Sequence, residues 1–396
     1  MLSLPNLGLC CLFFKSMHTE IITTLSELAP EAWNRLTQNN PFLRHEFLHA
    51  LHESGCACEK TGWAPHFIVG YDEEQLVAAL PLYLKYHSRG EYVFDWSWAD
   101  AYERHGLRYY PKLLSAVPFT PVTGARLLLA DASFAQPLIE QTLDFAREIK
   151  ASSWHCLFAP SDQATALSQA SLLIRHGVQF HWVNEGARTF DEYLSRMNHN
   201  KRKKIKQERR RVQQDGFTFQ WREGNQISAS DWAFFYSCYA NTYRLHGNSP
   251  YLNEEFFLRI GASMPENILM IVSYHKDQPV AASLNLHNED HLYGRYWGST
   301  QYFPMLHFET CYYQVIEYCL ARGIPVFEGG AQGEHKLARG LLPVKTYSAH
   351  WLAHPQFSAA VDHFLQQEKN GIAHYIDELT EHSPFVDSGL SPASES

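Results

Sequence analysis

The densest group of side chains that could do chemistry lies in residues 327–340, which read FEGGAQGEHKLARG. A short apolar run typical of a strand ends at Glu328, and three glycines follow within five positions: Gly329, Gly330 and Gly333. Glycine lets backbone N–H groups approach an anion closely, and basic side chains add positive charge. The polar and basic side chains of this segment are Gln332, His335, Lys336 and Arg339.

We interpret this segment as a site at the end of a strand. Glu328 or His335 would transfer protons, while Lys336 and Arg339 would hold a phosphate or a carboxylate against the glycines and Gln332. The alternative is a glycine-rich surface turn whose charges are solvated. The spacing fits neither GxxxxGK[ST] nor GxGxxG, so these two nucleotide-binding motifs are excluded.

Two residues upstream of this segment are further candidates. Arg295 lies among aromatic residues in LYGRYWG, a strand pattern, and would act either as an anion clamp or as an ion-paired edge residue. His307 stands at the predicted start of the next helix and is a third candidate for catalysis. On that helix Glu309, Tyr312 and Tyr313 fall at helical spacing, which predicts a stripe that is mostly core.

Aromatic residues and carboxylates alternate in the first half of the chain. Residues 92–98 read YVFDWSW, and the candidate ligand-binding side chains here are Asp95, Trp96, Trp98 and Tyr102. Aromatic walls with occasional carboxylates suit a cationic or sugar-bearing acceptor. A tryptophan-rich core between strands is the alternative. The later segment VPFTPVTG (117–124) contains two prolines and a glycine, which predicts a rigid loop.

The elements that must position these residues occur twice. Residues 68–79 (IVGYDEEQLVAA) and 271–282 (IVSYHKDQPVAA) share seven of twelve residues without a gap, at an offset of 203. In both windows an apolar run, a polar turn and a second apolar run predict a β-hairpin. Each window has a predicted helix upstream, and a predicted helix and strand downstream: 44–54, 138–150 and 154–159 for the first; 253–262, 308–322 and 324–328 for the second. The repeat predicts two duplicated α/β units.

Length and composition agree with two domains. The 396 residues are 45% hydrophobic and 19% charged, which excludes a disordered chain. We expect residues 17–183 to form a first domain with an aromatic insert, and residues 184–382 to form a second. Residues 1–16 are expected to be a disordered tail or an artefact of the start site, with Met17 as the other start, and residues 383–396 to be a second disordered tail.

One short basic segment stands out in an acidic chain. The formal charge is −9, but residues 201–211 hold eight basic residues and one acid, a local +7 that leaves −16 elsewhere. Ile205 and Val212 are seven apart, which predicts a basic helix, 199–214, anchored lightly between the domains. Such a helix binds RNA, anionic lipid or a phosphorylated substrate, or is only solvated; no aromatic residue interrupts it for base stacking.

Missing motifs restrict the function classes. The eight cysteines form no CxxC pair, and no GxSxG, HExxH or spaced set of Cys and His ligands occurs. A hydrolase triad, a disulfide framework and a metal site therefore have no support in the sequence. No apolar run approaches about 20 residues, the length of a membrane-spanning helix. We expect a cytoplasmic protein with reduced cysteines, no transmembrane segment and no permanently bound cofactor.

Several long segments resemble the bacterial FemAB-like family. They are NPFLRHEFLHALHESG, PLYLKYHSRGEYVFDWSWADAY, YYPKLLSAVPFTPVTGARLL, NKRKKIKQERR, LYGRYWG, LHFETCYYQVIEYCLARG and FEGGAQGEHKLARG, and the resemblance spans residues 17–379. That family is described as predicted N-acyltransferases of peptidoglycan biosynthesis or recognition. The resemblance implies an α/β fold of two tandem GNAT-like acyltransferase domains, each a mixed sheet flanked by helices. It also implies transfer of an acyl or aminoacyl group onto an amine.

The resemblance leaves the donor open between an acyl-CoA and an aminoacyl-tRNA, because neither half contains the Q/RxxGxG/A pyrophosphate loop. In such a transfer Glu328 or His335 would be the base, and backbone N–H groups of the Arg295–Gly298 strand would stabilise the oxyanion. The acceptor would be a peptidoglycan precursor or another small molecule, and a tRNA would dock on Lys201–Arg211. The alternative is a non-catalytic protein that recognises a cell-wall precursor or another anionic ligand.

Overall fold

The structure, a computed structural model, describes residues 17–331 and 333–386. Its strands are β1 (His18–Ile22), β2 (Trp63–Pro65), β3 (Phe67–Asp72), β4 (Gln75–Leu80), β5 (Tyr83–Lys85), β6 (Lys112–Ser115), β7 (Leu128–Leu129), β8 (Ser153–Ala159), β9 (Leu173–Val183), β10 (Phe217–Glu223), β11 (Ile268–His275), β12 (Gln278–His287), β13 (His291–Ser299), β14 (Val326–Glu328) and β15 (Leu342–Leu352).

The helices lie between these strands and cover the sheets. They are α1 (Pro30–Asn34), α2 (His45–Glu53), α3 (Trp96–Arg104), α4 (Ala135–Glu148), α5 (Ser161–Gln169), α6 (Phe190–Ser195), α7 (His199–Gln214), α8 (Ala229–Leu245), α9 (Glu254–Ser263), α10 (Leu306–Phe308), α11 (Gln314–Arg322) and α12 (Pro355–Glu381). A π-helical turn, Glu309–Tyr313, joins α10 to α11. A 3-10 helix, Glu334–Arg339, carries the basic part of the glycine-rich segment.

The two repeated windows fold as hairpins with the same irregularities. β3 pairs with β4 and β11 pairs with β12, both antiparallel, and the first pairing shifts register between Gly70 and Tyr71. The second pairing shifts register 203 residues later, at the equivalent position. The turn residues Glu73 and Lys276, again 203 apart, both have a positive φ, 54° and 51°. The predicted duplication is therefore confirmed down to the β-bulge.

Equivalent helices of the two copies pack against each other. α2 and α9, both predicted from their apolar faces, contribute Phe47 and Phe256, whose rings meet edge to face at 5.4 Å. Both rings are fully buried in a core shared by the two halves. Burying an aromatic side chain of this size stabilises the fold by about 1.5–3 kcal/mol, so the helices hold the halves together.

A sheet of eleven strands runs through both halves of the described chain, in the order β10-β11-β12-β13-β14-β9-β15-β8-β6-β5-β2. A second sheet has the order β1-β3-β4-β7. β9, at the end of the first half, pairs with β14 of the second half, and β15, late in the second half, pairs with β8 of the first. β9 and β15 also pair with each other, so each half completes the sheet of the other.

The two predicted tails fall largely outside the described residues, which omit 1–16 and 387–396. Residues 384–386 do not leave the body as a tail: Val386 donates to the Arg196 carbonyl at 2.9 Å, and Phe385 forms a β-bridge with Met197. The reason is apolar contact, since the Phe385 ring meets the buried ring of Tyr193. No helix among the described residues is both long enough and apolar enough to cross a membrane.

Candidate functional site

The candidate residues of the second half lie where two parallel strands separate. β13 and β14 pair over only three residues, and the last pair includes Glu328. Beyond Glu328 the chain stays with β9, since Gly329 donates to the Phe180 carbonyl at 2.9 Å. β13 stays with β12 instead, so a gap opens beside Arg295.

A β-bulge places Arg295 at this gap. The pairing of β12 with β13 shifts register here and leaves Arg295 as the extra residue of its strand, which redirects the side chain. α8 packs directly on the same strand at Gly298, where a Cβ would lie 2.1 Å from the Cys238 carbonyl oxygen. Glycine is therefore required for the helix to cover this end of β13.

A cavity of about 200 Å³ occupies the gap, and we call it the first cavity. β12, β13, the start of the following helix and the glycine-rich segment line it. The polar and aromatic side chains in its wall include Asn285, Arg295, Trp297, His307, Tyr312 and Lys336.

Two cations converge on the first cavity. A Cβ on Gly330 would lie 3.8 Å from Nη1 of Arg295 and 3.8 Å from Nζ of Lys336, so both charges approach one glycine. Burial, together with the nearby Arg295, lowers the pKa of Lys336 to about 8. Burial also lowers the pKa of Arg295. Two desolvated cations around a glycine form a site that an anion would stabilise.

Glu328 lies on the opposite face of β14 from the buried Phe327, because side chains alternate along a strand. Its Oε2 is 3.9 Å from Nη2 of Arg295 and 3.9 Å from Nε2 of His181, and it accepts no hydrogen bond. Burial raises the pKa of Glu328 to about 7, although Arg295 and Arg126 oppose the shift. A carboxyl group with this pKa suits a general base at neutral pH.

The two candidate histidines differ in environment. His307 lines the first cavity, where its ring meets Trp297 and Tyr312 edge to face, and burial lowers its pKa to about 4. It is therefore neutral at pH 7. His335 is exposed, and its Nε2 lies 3.1 Å from the Tyr312 hydroxyl oxygen. Burial of part of its ring lowers the pKa of His335 as well.

Arg339 is predicted to hold a phosphate or carboxylate, but the structure gives its guanidinium a protein partner instead. Its Nη2 donates to Oε2 of Glu208 at 2.9 Å, and Nη1 donates to the His335 carbonyl at 2.7 Å. The guanidinium also lies 3.5 Å from the ring centroid of Phe308. Arg339 therefore fixes the 3-10 helix to α7, and Arg295 joins Lys336 at the cavity in its place.

The glycines of the segment meet separate steric demands. A Cβ on Gly329 would lie 2.4 Å from Leu341, and a Cβ on Gly333 would lie 2.2 Å from the ring of His335. Gly330 and Gly333 both have a positive φ, 80° and 107°. Gln332, the remaining predicted ligand residue, lies outside the described residues.

The aromatic candidates of the first half are not grouped around Glu328. Trp98 and Tyr102 lie in a core cluster with Val361 and Leu365 of α12, because both lie on the apolar face of α3. The Asp95 carboxylate is buried and ion-paired with Lys112, while Trp96 is 44% exposed. The core interpretation therefore describes Trp98 and Tyr102, and it replaces the acceptor wall proposed from the sequence.

The equivalent gap in the first half is filled by the chain itself. β6 and β8 pair in parallel over three residues, as β13 and β14 do. The next part of β8 contacts the loop that follows β6: Nε of Arg126 donates to the Leu157 carbonyl at 2.8 Å, and Gly124 donates to the Phe158 carbonyl at 3.1 Å. The proline-rich loop thus occupies the first gap, and an open gap remains in the second half.

The predicted basic helix is α7, with the predicted ends. Ile205 and Val212 anchor it in the core, and Arg209 forms ion pairs of 2.9 Å with both Glu309 and Glu317. Its exposed cations include Lys203, Lys204 and Arg210.

Two residues of the site had no signal in the sequence. His181 faces Glu328 because β9 pairs with β14, and Arg126 acts on the pKa of Glu328 across the seam between the halves. Both contacts cross between distant parts of the chain, so periodicity and local motifs could not find them. Alternating side-chain direction along β9 would have placed His181 on the correct face only once its partner strand was known.

A wider groove, of about 930 Å³, lies between the start of α2 and the ends of β10, β12 and α11. Its arginines are already paired: Arg44 with Glu46 and Glu266, and Arg322 with Glu223. The first cavity is smaller but holds the desolvated groups that chemistry requires.

Solved structures match the chain over most of its length, although no curated protein matches it in sequence. The C-terminal domain of a proposed lysylphosphatidylglycerol synthetase from Agrobacterium fabrum has a TM-score of 0.55 at 11% identity, covering 85% of this chain and 96% of that one. L-PGS from Bacillus licheniformis has a TM-score of 0.53 at 10% sequence identity, covering 85% of this chain and 97% of that one. FemX has a TM-score of 0.52 at 13% identity, covering 87% of this chain and 100% of that one. These similarities show the fold alone.

The fold class predicted from the sequence, α/β with two tandem GNAT-like domains, is confirmed by the duplicated hairpins and by the likeness to FemX. A family model described as FemAB-like, of peptidoglycan biosynthesis/recognition, matches residues 24–387. The match includes the separating strands, the glycine-rich segment and the basic helix. The chain therefore belongs to the FemAB-like family.

Proposed function

We propose that this protein transfers an acyl or aminoacyl group onto an amine, with Glu328 as the general base. The observation that carries the proposal is the position of Glu328: it is buried, its Oε2 has no hydrogen-bond partner, and it adjoins a gap between strands that also receives Arg295 and Lys336. A base and an anion site on two faces of one gap suit attack by an amine on an activated carbonyl group.

The reaction requires few steps. The amine nitrogen attacks the carbonyl carbon of the donor ester or thioester while its proton moves to Glu328. The C–O or C–S bond then breaks, and the leaving oxygen or sulfur takes the proton that Glu328 has accepted, which restores the Glu328 carboxylate. The backbone of β13 from Arg295 to Gly298 has no register partner on β14, and its N–H groups on that side would stabilise the oxyanion. Arg295 and Lys336 would hold an anionic part of the donor.

The family description supports an acceptor from peptidoglycan biosynthesis, and the similar structures include FemX. The donor is either an acyl-CoA or an aminoacyl-tRNA. The exposed cations of α7, Lys203, Lys204 and Arg210, favour a polyanionic donor on this side of the molecule. If the donor is an aminoacyl-tRNA, the affinity of the protein for tRNA should fall steeply as the salt concentration rises. An affinity that does not depend on salt would exclude tRNA as the donor.

The test compares wild type with Glu328→Gln, which keeps the shape and removes the base. Labelled acetyl-CoA, longer acyl-CoAs and aminoacyl-tRNAs are incubated with a panel of amines, and product is measured chromatographically. We expect the transfer rate of the variant to fall by about 10²–10⁴-fold. Glu185→Gln, at an exposed glutamate, is the control and should keep the full rate.

Two results would contradict the proposal. Full transfer by a folded Glu328→Gln variant would remove Glu328 as the base. Tight binding of a cell-wall precursor without transfer from any donor would favour the binding protein over the enzyme.

A further inference from the structure

A second cavity, of about 250 Å³, reaches Glu328 from the seam between the two halves. The first half contributes Asn40 and Thr123 to its wall, and the second half contributes Asp290 and His291. Phe327 and Gly329 line the first cavity, whereas Glu328 lines the second, so the two cavities lie on opposite faces of the same strand end. Neither half forms the second cavity alone.

Two polar atoms in the second cavity have no hydrogen-bond partner. They are Oε2 of Glu328 and Oγ1 of Thr123, and both are almost fully shielded from solvent. More than nine in ten buried polar groups of native proteins are hydrogen-bonded. Two orphaned oxygens in one cavity therefore indicate a ligand that donates hydrogen bonds to both.

The charges around the second cavity indicate which kind of hydrogen-bond-donating ligand it would bind. Asp290 at the mouth and Glu328 at the base are carboxyl groups. Burial lowers the pKa of His291, which is therefore neutral at pH 7. Arg126 is engaged with the protein: its guanidinium donates to the Val122, Gly124 and Leu157 carbonyls at 2.6, 2.9 and 2.8 Å. Arg295 lines the first cavity, and its Nη2 is 3.9 Å from Oε2 of Glu328, too far for a hydrogen bond, as is Nε2 of His181.

We infer that the second cavity binds the acceptor of the reaction, and that this acceptor presents a small primary amine that enters as an ammonium ion. This inference rests on the proposed function. The volume of about 250 Å³ admits an amine on a short alkyl chain and is below the range of about 300–1,000 Å³ that drug-sized ligands occupy. Asp290 attracts the ammonium ion at the mouth of the second cavity. Glu328, at the strand end between the two cavities, takes one proton from the ion and releases it to solvent, and the neutral amine then attacks the donor carbonyl group.

The binding step can be tested without any donor. Protein carrying ¹³C at its glutamate carboxyl groups is titrated with butylammonium, and the Glu328 resonance is assigned by its loss in Glu328→Gln. We expect a saturable shift of that resonance and a lower pKa of Glu328 in the presence of butylammonium. Butanol, of the same length but uncharged, should cause neither change. An equal effect of butanol, or no saturable effect of butylammonium, would overturn the inference.

Variants assign the effect to the cavity. Asp290→Asn should weaken butylammonium binding about two- to fivefold, the effect of removing one exposed charge. Its neighbour Glu289 is also exposed but lines the wider groove and not the second cavity, so Glu289→Gln should leave binding unchanged. Thr123→Leu, which fills the cavity, should abolish binding. Binding that survives Thr123→Leu, or that Glu289→Gln weakens as much as Asp290→Asn, would overturn the inference.

Failure of this inference and failure of the proposed function give different results. If the protein binds butylammonium at Glu328 but transfers no group from any donor, the second cavity is a cation site and the proposed transferase function is wrong. If the Thr123→Leu variant transfers a group with an unchanged KM for the acceptor, the proposed function stands and the second cavity is not the acceptor site.

Discussion

Burial moves the pKa values of Glu328 and Lys336 toward each other, to about 7 and about 8. Each group is removed from water, which disfavours the charged form of both. The charged forms are the ones that the proposed reaction uses: a carboxylate that accepts a proton and an ammonium group that holds an anion. Their environment therefore confines full activity to a narrow range of pH.

We predict a bell-shaped dependence of kcat/KM on pH. The rate should rise near pH 7, as Glu328 loses its proton, and fall near pH 8, as Lys336 loses its charge. Lys336→Arg should remove the alkaline fall because arginine stays charged. Initial rates across the pH range check the profile, and a rate that does not change through pH 7 would contradict the role of Glu328.

Substitutions of Arg339 and of Lys336 should have different effects on the free energy of unfolding. Arg339→Met leaves Glu208 buried without its cation, and we expect the free energy of unfolding to fall by about 3–5 kcal/mol. Lys336 has no ion pair among the side chains that the structure describes, so Lys336→Met should leave the free energy of unfolding unchanged or raise it. Urea denaturation measures both variants, and equal losses would contradict the separation of structural and binding roles.

The sequence was sufficient to predict which residue types form the site and their order along the chain. It was not sufficient to predict which side chains pair with each other. A glutamate at a strand end followed by glycines and a lysine indicates a site. Nothing local distinguishes Arg339 from Lys336, because the partner of Arg339, Glu208, lies 131 residues away on α7. Arg295 joins the site for the same kind of reason, a bulge that only the pairing of β12 with β13 reveals.

Elements of the first half act as a scaffold, and a buried ion-pair network fastens its aromatic insert. Lys112 on β6 is fully buried and pairs with Asp95 and, at 2.8 Å, with Glu91. The Tyr109 hydroxyl donates to Asp95 at 2.5 Å. These contacts fix the start of α3 to the sheet, so the carboxylate predicted to meet a ligand instead holds the insert in place.

Removing the cation of this network should unfold the insert. In Lys112→Met the Asp95 carboxylate loses its lysine partner and Glu91 keeps only Lys85, at 3.8 Å, so we expect a loss of about 3–5 kcal/mol in the free energy of unfolding. Faster amide exchange in α3 than in β11 would locate the loss, and Lys60→Met, at an exposed lysine, is the control. A loss no larger than that of the control would mean that the network contributes nothing to stability.

The hairpins and most helices could be predicted from periodicity, whereas the course of the loop after β6 could not. Periodicity reports which face of an element is apolar, and both hairpins alternate clearly. The loop is held by Arg126, whose guanidinium meets the Leu157 carbonyl 31 residues away. Its proline content predicted rigidity, but not that it fills the gap between β6 and β8.

Across the molecule, the exchange of β9 and β15 joins the two halves in one continuous sheet. The pairing of β9 with β15 extends over nine residue pairs and lies between β14 of one half and β8 of the other. The boundary at 183/184 stays a prediction, but strand pairing crosses it on both sides. Duplication could be predicted from the repeat, while exchange could not, because each strand pairs outside its own copy.

Strand exchange predicts a single cooperative transition for the full chain. Urea denaturation followed by amide exchange should give the same free energy of unfolding for β3–β4 in the first half and β11–β12 in the second, since unfolding either half removes pairing from the other. A fragment of residues 17–183 alone exposes β8 without β15 and β9 without β14, so it should aggregate. Mixing it during refolding with residues 184–386 should restore a soluble complex. Two separate transitions, or a stable soluble fragment 17–183, would show that the halves fold independently and that the shared sheet only joins them.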